Sequence, residues 1–486
     1  MLDIAQCLDG SSAKPLYEQL YGSISRQIRT GALRPGDRLP GKRSLAGQLA
    51  VAVNTVDAAY QMLVAEGYLE ARPKSGFFVL EYTDELPQRE QEEPETTPAV
   101  KKSASSPPRF DLSTGAVDTA LFPFRTWGRI QKELLYASPE LLNHGHRQGD
   151  EDLRHALAEY LHAYRGVVCQ PEQIVVGAGV EYLLGLVAQL LRGGTAAIEN
   201  PGYDRSRTIL ENNGVPCRCV EIDEGGLSVT ALEKSGANLC YVTPSHHFPT
   251  GVTMPAGRRA QLLRWAAREP GRYILEDDYD AEFRFDMRPL PSLQGMAGPG
   301  GPVVYLCTFS KSLAPSIRIA CMVLPGELLR RYQDTFGSYA STVSRFEQQT
   351  LCRFLTEGYF PRHLARMRGV YKERMEALAA ALEDTFGRDR IRLQGRHTGL
   401  HLLLTLWDGP GEEVMIRSAA REGVRLRGLS QYYMDRRQDC PGNTVVLGYA
   451  SLRNEDIPDL AAALYRAFTA PCAGEEHGEG RDEVKT

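Results

Sequence analysis

The spacing of apolar residues changes character along this chain. Leu16, Leu20, Ile24 and Ile28 recur every four residues, which predicts one stripe of an amphipathic helix that Pro15 starts and Gly31 ends. A short helical run is expected over Lys42–Leu49, with Leu45 and Leu49 on one face. The segment AVAV separates it from a third helix, where Asn54 or Thr55 is expected to cap and Val56, Tyr60, Leu63 and Val64 to face inward. YLEARPKSGFFVL then reads as two short strands around Arg72, Pro73, Lys74, Ser75 and Gly76, a hairpin with a basic tip. From Phe110 onward, strand-like runs alternate with helical ones: QIVVGAG, a helix from Glu181, AAIEN, LCYVTP, RYILEDDY and VVYLCTFS. That alternation predicts an α/β unit with a mostly parallel sheet, whose ligands bind at the carboxyl ends of the strands.

Between the two patterns, residues 84–108 lack aromatics and are dense in Glu, Pro, Ser and Thr, so they cannot bury enough apolar surface to order themselves. The expected organisation is therefore a small domain over 1–83, a flexible linker over 84–108, a large domain over 109–472 and a frayed polar tail over 473–486. Composition alters this picture in one respect. The 486-residue chain carries 56 Lys and Arg against 61 Asp and Glu, a formal charge of -5, yet its first 80 residues hold nine basic and seven acidic side chains, net +2. A small basic segment is joined to a large acidic one.

The ten cysteines show no C-x-x-C pair at zinc spacing, and Cys217 and Cys219, alternating on a strand, read as packing residues, so no metal is expected. Asp3 and Asp9 stand where a signal peptide has basic residues, and the longest apolar stretch, Tyr182–Leu191, is half of the ~20 residues a membrane span needs. A soluble, cytoplasmic protein with no membrane partner is expected.

Three helices and a basic hairpin are the parts of a winged helix-turn-helix, whose third helix enters a major groove of double-stranded DNA. Lys42 and Arg43 open the second helix, Asn54 and Thr55 the third, and Arg72 and Lys74 tip the wing, six candidate DNA contacts. The pattern alone also suits a helical interaction module with solvated charges. In the large unit, TFSKSLAPSIRIA sets Lys311 after an apolar strand, among Thr308, Ser310 and Ser312 and seven residues before Arg318. Lysine condenses with aldehydes, and hydroxyls with Arg hold phosphate, although a structural lysine fits the motif too. In ILEDDYD a carboxylate at a strand end suits a protonated pyridine nitrogen, but equally a metal or a cap. GAGVE, Gly177–Glu181, is a glycine turn opening a helix, an unspecific anion site, and ENPGYDR sets Tyr203 in a turn where an aromatic can stack on a ring.

The first module resembles the GntR-type DNA-binding domain along its whole length, through the LP start, the TVDAAYQMLVAEGYL core and the wing RPKSGFFV. One departure is Gly41, where that family commonly has Ser, so a phosphate contact is lost. The order Gly-turn, Tyr203, TPSHHFPTG, EDDY and SK with a trailing Arg resembles fold-type I aminotransferases, and the fusion resembles the MocR (GabR-like) subfamily of GntR regulators. The resemblance implies a small α+β winged helix-turn-helix domain followed by an α/β fold-type I aminotransferase-like domain. It also implies pyridoxal 5'-phosphate joined to Lys311 as a Schiff base, Asp277 against the pyridine nitrogen and Tyr279 on the ring hydroxyl. Tyr203 would stack on the ring, while Gly179 and Val180 N–H groups with Thr308, Ser310 and Arg318 would hold the phosphate. Arg205 is placed for an effector carboxylate.

Three departures stand out. Ala178, Gly179 and Val180 replace a Ser/Thr-rich phosphate turn; Phe248 replaces an Asn before PTG, leaving His246 or His247 to approach the cofactor. The adjacent histidines are badly directed for one metal ion. In the last strand, TVVLGYA, Leu447 and Gly448 stand where aminotransferases carry an Arg for the substrate carboxylate, and Arg425 and Arg427 are the nearest substitutes. The expected function is a regulator that binds operator DNA and senses an amine, an amino acid or the cofactor itself through Lys311, with a domain-swapped homodimer implied by the resemblance. The alternative is a working aminotransferase with an accessory DNA module.

Overall fold

The computed structural model describes residues 14–81, 107–285, 290–435 and 440–469, and the chain divides into two compact units, Met1–Ala104 and Ser105–Thr486. Nearly all of the expected linker and the whole of the expected tail lie outside the described residues.

In the first unit the fourfold stripe forms helix α1 (Leu16–Arg29), with Leu20, Ile24 and Ile28 buried. Strand β1 (Arg38–Leu39) follows, then α2 (Lys42–Leu49) and α3 (Val53–Ala65). The hairpin is β2 (Leu69–Arg72) and β3 (Gly76–Val79), and β1 pairs with β3, adding a third strand that the sequence pattern does not show. Tyr60 ties the parts together: its ring is fully buried and its hydroxyl donates to the Pro40 carbonyl at 2.9 Å. Neither Asn54 nor Thr55 caps α3. The cap position is Ala52, in extended conformation and without a side-chain hydrogen bond, so the helix begins two residues before Thr55 and both polar side chains lie in its first turn. Gly41 occupies the corresponding position of α2, equally uncapped.

The second unit opens on β4 (Phe110–Asp111), with helices α4 (Phe124–Ala137) and α5 (Glu151–Arg165) ahead of its main sheet. That sheet comprises β5 (Ile174–Gly177), β6 (Ala196–Asn200), β7 (Cys217–Asp223), β8 (Gly226–Leu227), β9 (Leu239–Val242), β10 (Tyr273–Asp278), β11 (Val303–Thr308) and β12 (Ala320–Val323), in the order β5-β12-β11-β10-β9-β6-β7-β8. The central run β11-β10-β9-β6-β7 is parallel; β12 lies antiparallel between β11 and β5, and β8 closes the other edge antiparallel. Strand alternation divides the side chains between two cores: Val176, Tyr305 and Cys307 face one, and Val175, Val304 and Leu306 the other. A smaller lobe holds β13 (Ile391–Gln394), β14 (His401–Leu406), β15 (Val424–Arg425), β16 (Arg427–Gly428) and β17 (Thr444–Gly448). Its four-stranded sheet has the order β13-β14-β17-β16, and β15 pairs with β4. Among the described residues no helix is long and apolar enough to cross a membrane.

Candidate functional site

The carboxyl ends of β9, β10 and β11 open on a cavity of about 380 Å³, and alternation decides which side chains reach it. Glu276, Asp277 and Asp278 are consecutive, so the pleat sends the middle carboxylate one way and its neighbours the other. Glu276 accepts the backbone N–H groups of Leu293 and Gln294, and Asp278 accepts Arg165 Nε and the Tyr305 hydroxyl, both buried structural tasks. Asp277 faces the cavity. Its Oδ2 accepts the hydroxyl of Tyr241, a residue the sequence pattern did not single out, while its Oδ1 is buried without a partner. Burial pushes the Asp277 carboxyl up to about 7, against the opposing pull of Tyr241.

Lys311 lies just beyond β11, half-buried in the wall of the same cavity, and its Nζ donates to the Thr114 carbonyl. Desolvation lowers its ammonium from 10.5 to about 8, so its amine is available near neutrality. Thr308 and Ser310 share a 2.9 Å hydroxyl contact beside it. Arg318 arrives from the turn before β12 in the left-handed conformation, φ 55°, which costs a non-glycine residue about 1–3 kcal/mol and marks a constrained position. That geometry aims the guanidinium at the N-terminus of helix α6 (Val180–Leu190). There it donates to the Ala178 carbonyl, and an added Cβ on Gly179 would meet it at 2.4 Å. The glycine is required for this close approach.

Val180, Tyr203, Arg205, Asp277, Tyr279, Thr308, Ser310, Lys311, Arg318 and Arg427 all line the cavity. The expectation for Gly179 needs correction: its N–H is already donated to the Gly177 carbonyl at 2.8 Å, closing a tight turn. Val180, as first residue of α6, keeps an N–H for which the helix has no acceptor. The histidines also need correction, since neither lines the cavity. His246 sits behind it, with Nδ1 2.9 Å from Asp280 and 3.0 Å from the Tyr279 hydroxyl, and its ring stands where a side chain at Gly399 would have to go. His247 is buried, its Nδ1 2.7 Å from the Thr250 hydroxyl, and desolvation lowers it to about 3, a neutral ring. Arg425 is turned away onto Asp111, whereas Arg427, whose cross-strand partner on β17 is Val446, reaches the cavity. The missing Arg in the last strand has a steric reason at Gly448, where a Cβ would lie 2.6 Å from the Ser113 carbonyl oxygen. Among the described residues, no cluster of His, Cys, Asp or Glu is arranged for a metal ion.

On the winged module, Arg43, Asn54, Arg72 and Lys74 are exposed and Lys42 and Thr55 half-buried. Lys42 is ion-paired to Asp57 on α3, and Arg72 is paired with Glu70 at 2.8 Å and lies over the Phe78 ring. Arg43 and Lys74 are in no ion pair with a described residue.

The cavity holds a desolvated amine, an orphaned carboxylate oxygen and an arginine against a helix N-terminus. Set at the strand ends of such a sheet, these define a fold-type I aminotransferase-like domain, here carried behind a winged helix-turn-helix. Residues 107–438 match the family described as aminotransferase class I and II, and residues 16–79 match the gntR family of bacterial regulatory proteins. The chain is 37% identical over 469 residues to the uncharacterized HTH-type transcriptional regulator YdeL of Bacillus subtilis, covering 96% of this chain and all of that one. It is 32% identical to the probable rhizopine catabolism regulatory protein MocR of Rhizobium meliloti, covering 95% of this chain and 96% of that one. An archaeal alanine:glyoxylate aminotransferase structure superposes with a TM-score of 0.66 at 25% identity, over 74% of this chain and 90% of that one. The chain belongs to the MocR subfamily of GntR-type transcriptional regulators. Class I and II aminotransferase folds typically depend on pyridoxal phosphate.

Proposed function

We propose that this regulator binds operator DNA through its winged module and holds pyridoxal phosphate in the cavity as the detector of an amine or amino-acid effector. The observation that carries the reading is the orphaned, buried Oδ1 of Asp277 in a wall shared with Lys311, because a buried acceptor without a donor is costly unless a ligand N–H pairs with it. A protonated pyridine nitrogen is such a donor. When bound, the cofactor supplies an aldehyde that condenses with primary amines and a ring that stabilises negative charge. Lys311 offers the amine nucleophile, Tyr241 keeps Asp277 oriented, and Arg318, Thr308, Ser310 and the Val180 N–H form the phosphate end. Arg205 and Arg427, also in the cavity lining, hold the effector carboxylate. An effector amine competes with Lys311, whose released ammonium has the Thr114 carbonyl as an acceptor. Dimerisation, with the arms exchanged between protomers as the family resemblance implies, supplies two recognition helices for two half-sites.

The test is direct. Purified protein mixed with pyridoxal phosphate should gain a visible absorption band that Lys311→Ala lacks; a wild-type chain that stays colourless rejects the reading. The presence of Lys311, Asp277, Tyr279 and Tyr203 in the cavity lining also favours turnover as a second reading, against which stand the missing Asn at Phe248 and the missing Arg of the last strand. Lys311-dependent conversion of an amino acid and keto acid pair would establish it.

A further inference from the structure

One side chain in the cavity opposes the chemistry expected of its phosphate end. Glu181, second residue of α6, carries a carboxylate whose Oε2 accepts Arg318 at 3.1 Å and whose Oε1 accepts Arg205 at 3.0 Å. A single carboxylate thus bridges the guanidinium assigned to phosphate and the one assigned to the effector. Its place is also the one that electrostatics reserves for an anion, the first turn of a helix, where the N-terminal N–H groups and the macrodipole favour negative charge. The pairs are about half exposed, so exchange with a dissolved anion is accessible.

We propose that Glu181 is the internal counter-anion of this pocket, a specificity-determining residue that a phosphate-bearing ligand displaces from Arg318 and that then remains on Arg205. The inference rests on the cofactor reading for the identity of the ligand. A dianionic phosphate outcompetes one carboxylate for Arg318, whereas a phosphate-free ring meets Asp277 and Lys311 without disturbing Glu181. Glu181 thereby sets how strongly the pocket discriminates phosphorylated from unphosphorylated ligands, and Arg205 helps phosphate binding by drawing Glu181 aside.

Spectroscopic titration of the full chain with pyridoxal phosphate and with pyridoxal tests this. Glu181→Gln should tighten pyridoxal phosphate about two- to fivefold, the range for an exposed ion pair, and leave pyridoxal unchanged. Arg205→Gln should weaken pyridoxal phosphate in the Glu181 background and have no effect in the Glu181→Gln background. Glu181→Asp, too short to span both arginines, is the second variant should Glu181→Gln misfold, and should fall between. Equal changes for both ligands, or none for the phosphorylated one, overturn the inference. If the wild-type chain binds no pyridoxal phosphate, the cofactor reading falls separately. Inorganic phosphate then decides the matter: its dissociation constant, from its effect on thermal unfolding, should drop by the same factor in Glu181→Gln, and an unchanged value overturns the proposal.

Discussion

Lys311 and Asp277 owe their character to burial. An exposed lysine is half-deprotonated near 10.5; in its desolvated seat Lys311 reaches that point near 8, so the fraction of free amine climbs as pH rises through 8. The rate at which the unliganded protein takes up pyridoxal phosphate should accordingly rise from pH 7 to pH 9 and then level, as followed by the growth of the visible band. A rate flat over that interval would mean that the amine is already fully deprotonated, and one that keeps climbing beyond pH 9 that it is still solvated. Asp277 titrates upward for the same reason, to about 7, and a cationic ring nitrogen would restore its charge. Asp277→Asn keeps the shape but loses the charge-assisted hydrogen bond. It should weaken cofactor binding by about 10- to 100-fold, the equivalent of about 1.5–3 kcal/mol, in an equilibrium titration.

At the level of elements, the caps and close approaches carry the testable content. Ala52 has the extended backbone of a helix cap but no side chain to accept the orphan N–H groups of α3, so Ala52→Ser should stabilise the winged module by about 1 kcal/mol in chemical denaturation. Gly448→Ala should do the reverse, because β17 donates its Gly448 N–H to Leu112 at 2.8 Å and leaves no room for a methyl beside the Ser113 carbonyl. Lower stability with an altered cofactor spectrum is the expected result, since Ser113 and Thr114 line the cavity. The DNA-binding candidates divide by their own ion pairs. Arg43→Ala should weaken operator binding and reduce its salt slope by about 1, as measured by titration over a range of salt concentrations. Arg72→Ala should have the smaller effect, because Arg72 must exchange Glu70 for phosphate.

For the molecule as a whole, regulation requires an effector to bind one DNA-related arrangement more tightly than another. Linkage makes the effect reciprocal: whatever factor an effector imposes on operator affinity, saturating operator must impose on effector affinity. Titrating an amine effector spectroscopically with and without operator DNA checks the equality, and a Lys311→Ala chain should show no coupling.

Much of this protein was determined by its sequence alone. A period of about four residues marks the three helices of the first unit, because burial of one face imposes the period locally, whereas continuous apolar runs mark the strands of the parallel sheet, which are buried on both faces. The strand-end positions of Asp277, Lys311 and Arg318 follow from the same patterns once their order is compared with a known family. What the tertiary structure alone decided are contacts between residues far apart in the chain. Strand β12, of which only Ala320 belongs to the lysine motif, is not among the strand-like runs read in the sequence and becomes the antiparallel neighbour of β11 and β5 only when the sheet forms. Tyr241 under Asp277, the retreat of His246 behind Tyr279, the choice of Arg427 over Arg425, and Glu181 shared by two arginines all depend on which side of a pleat or helix meets which neighbour. Local periodicity fixes the face of an element on which a side chain stands; the partner it finds there is set by packing and by the requirement that buried polar groups be paired.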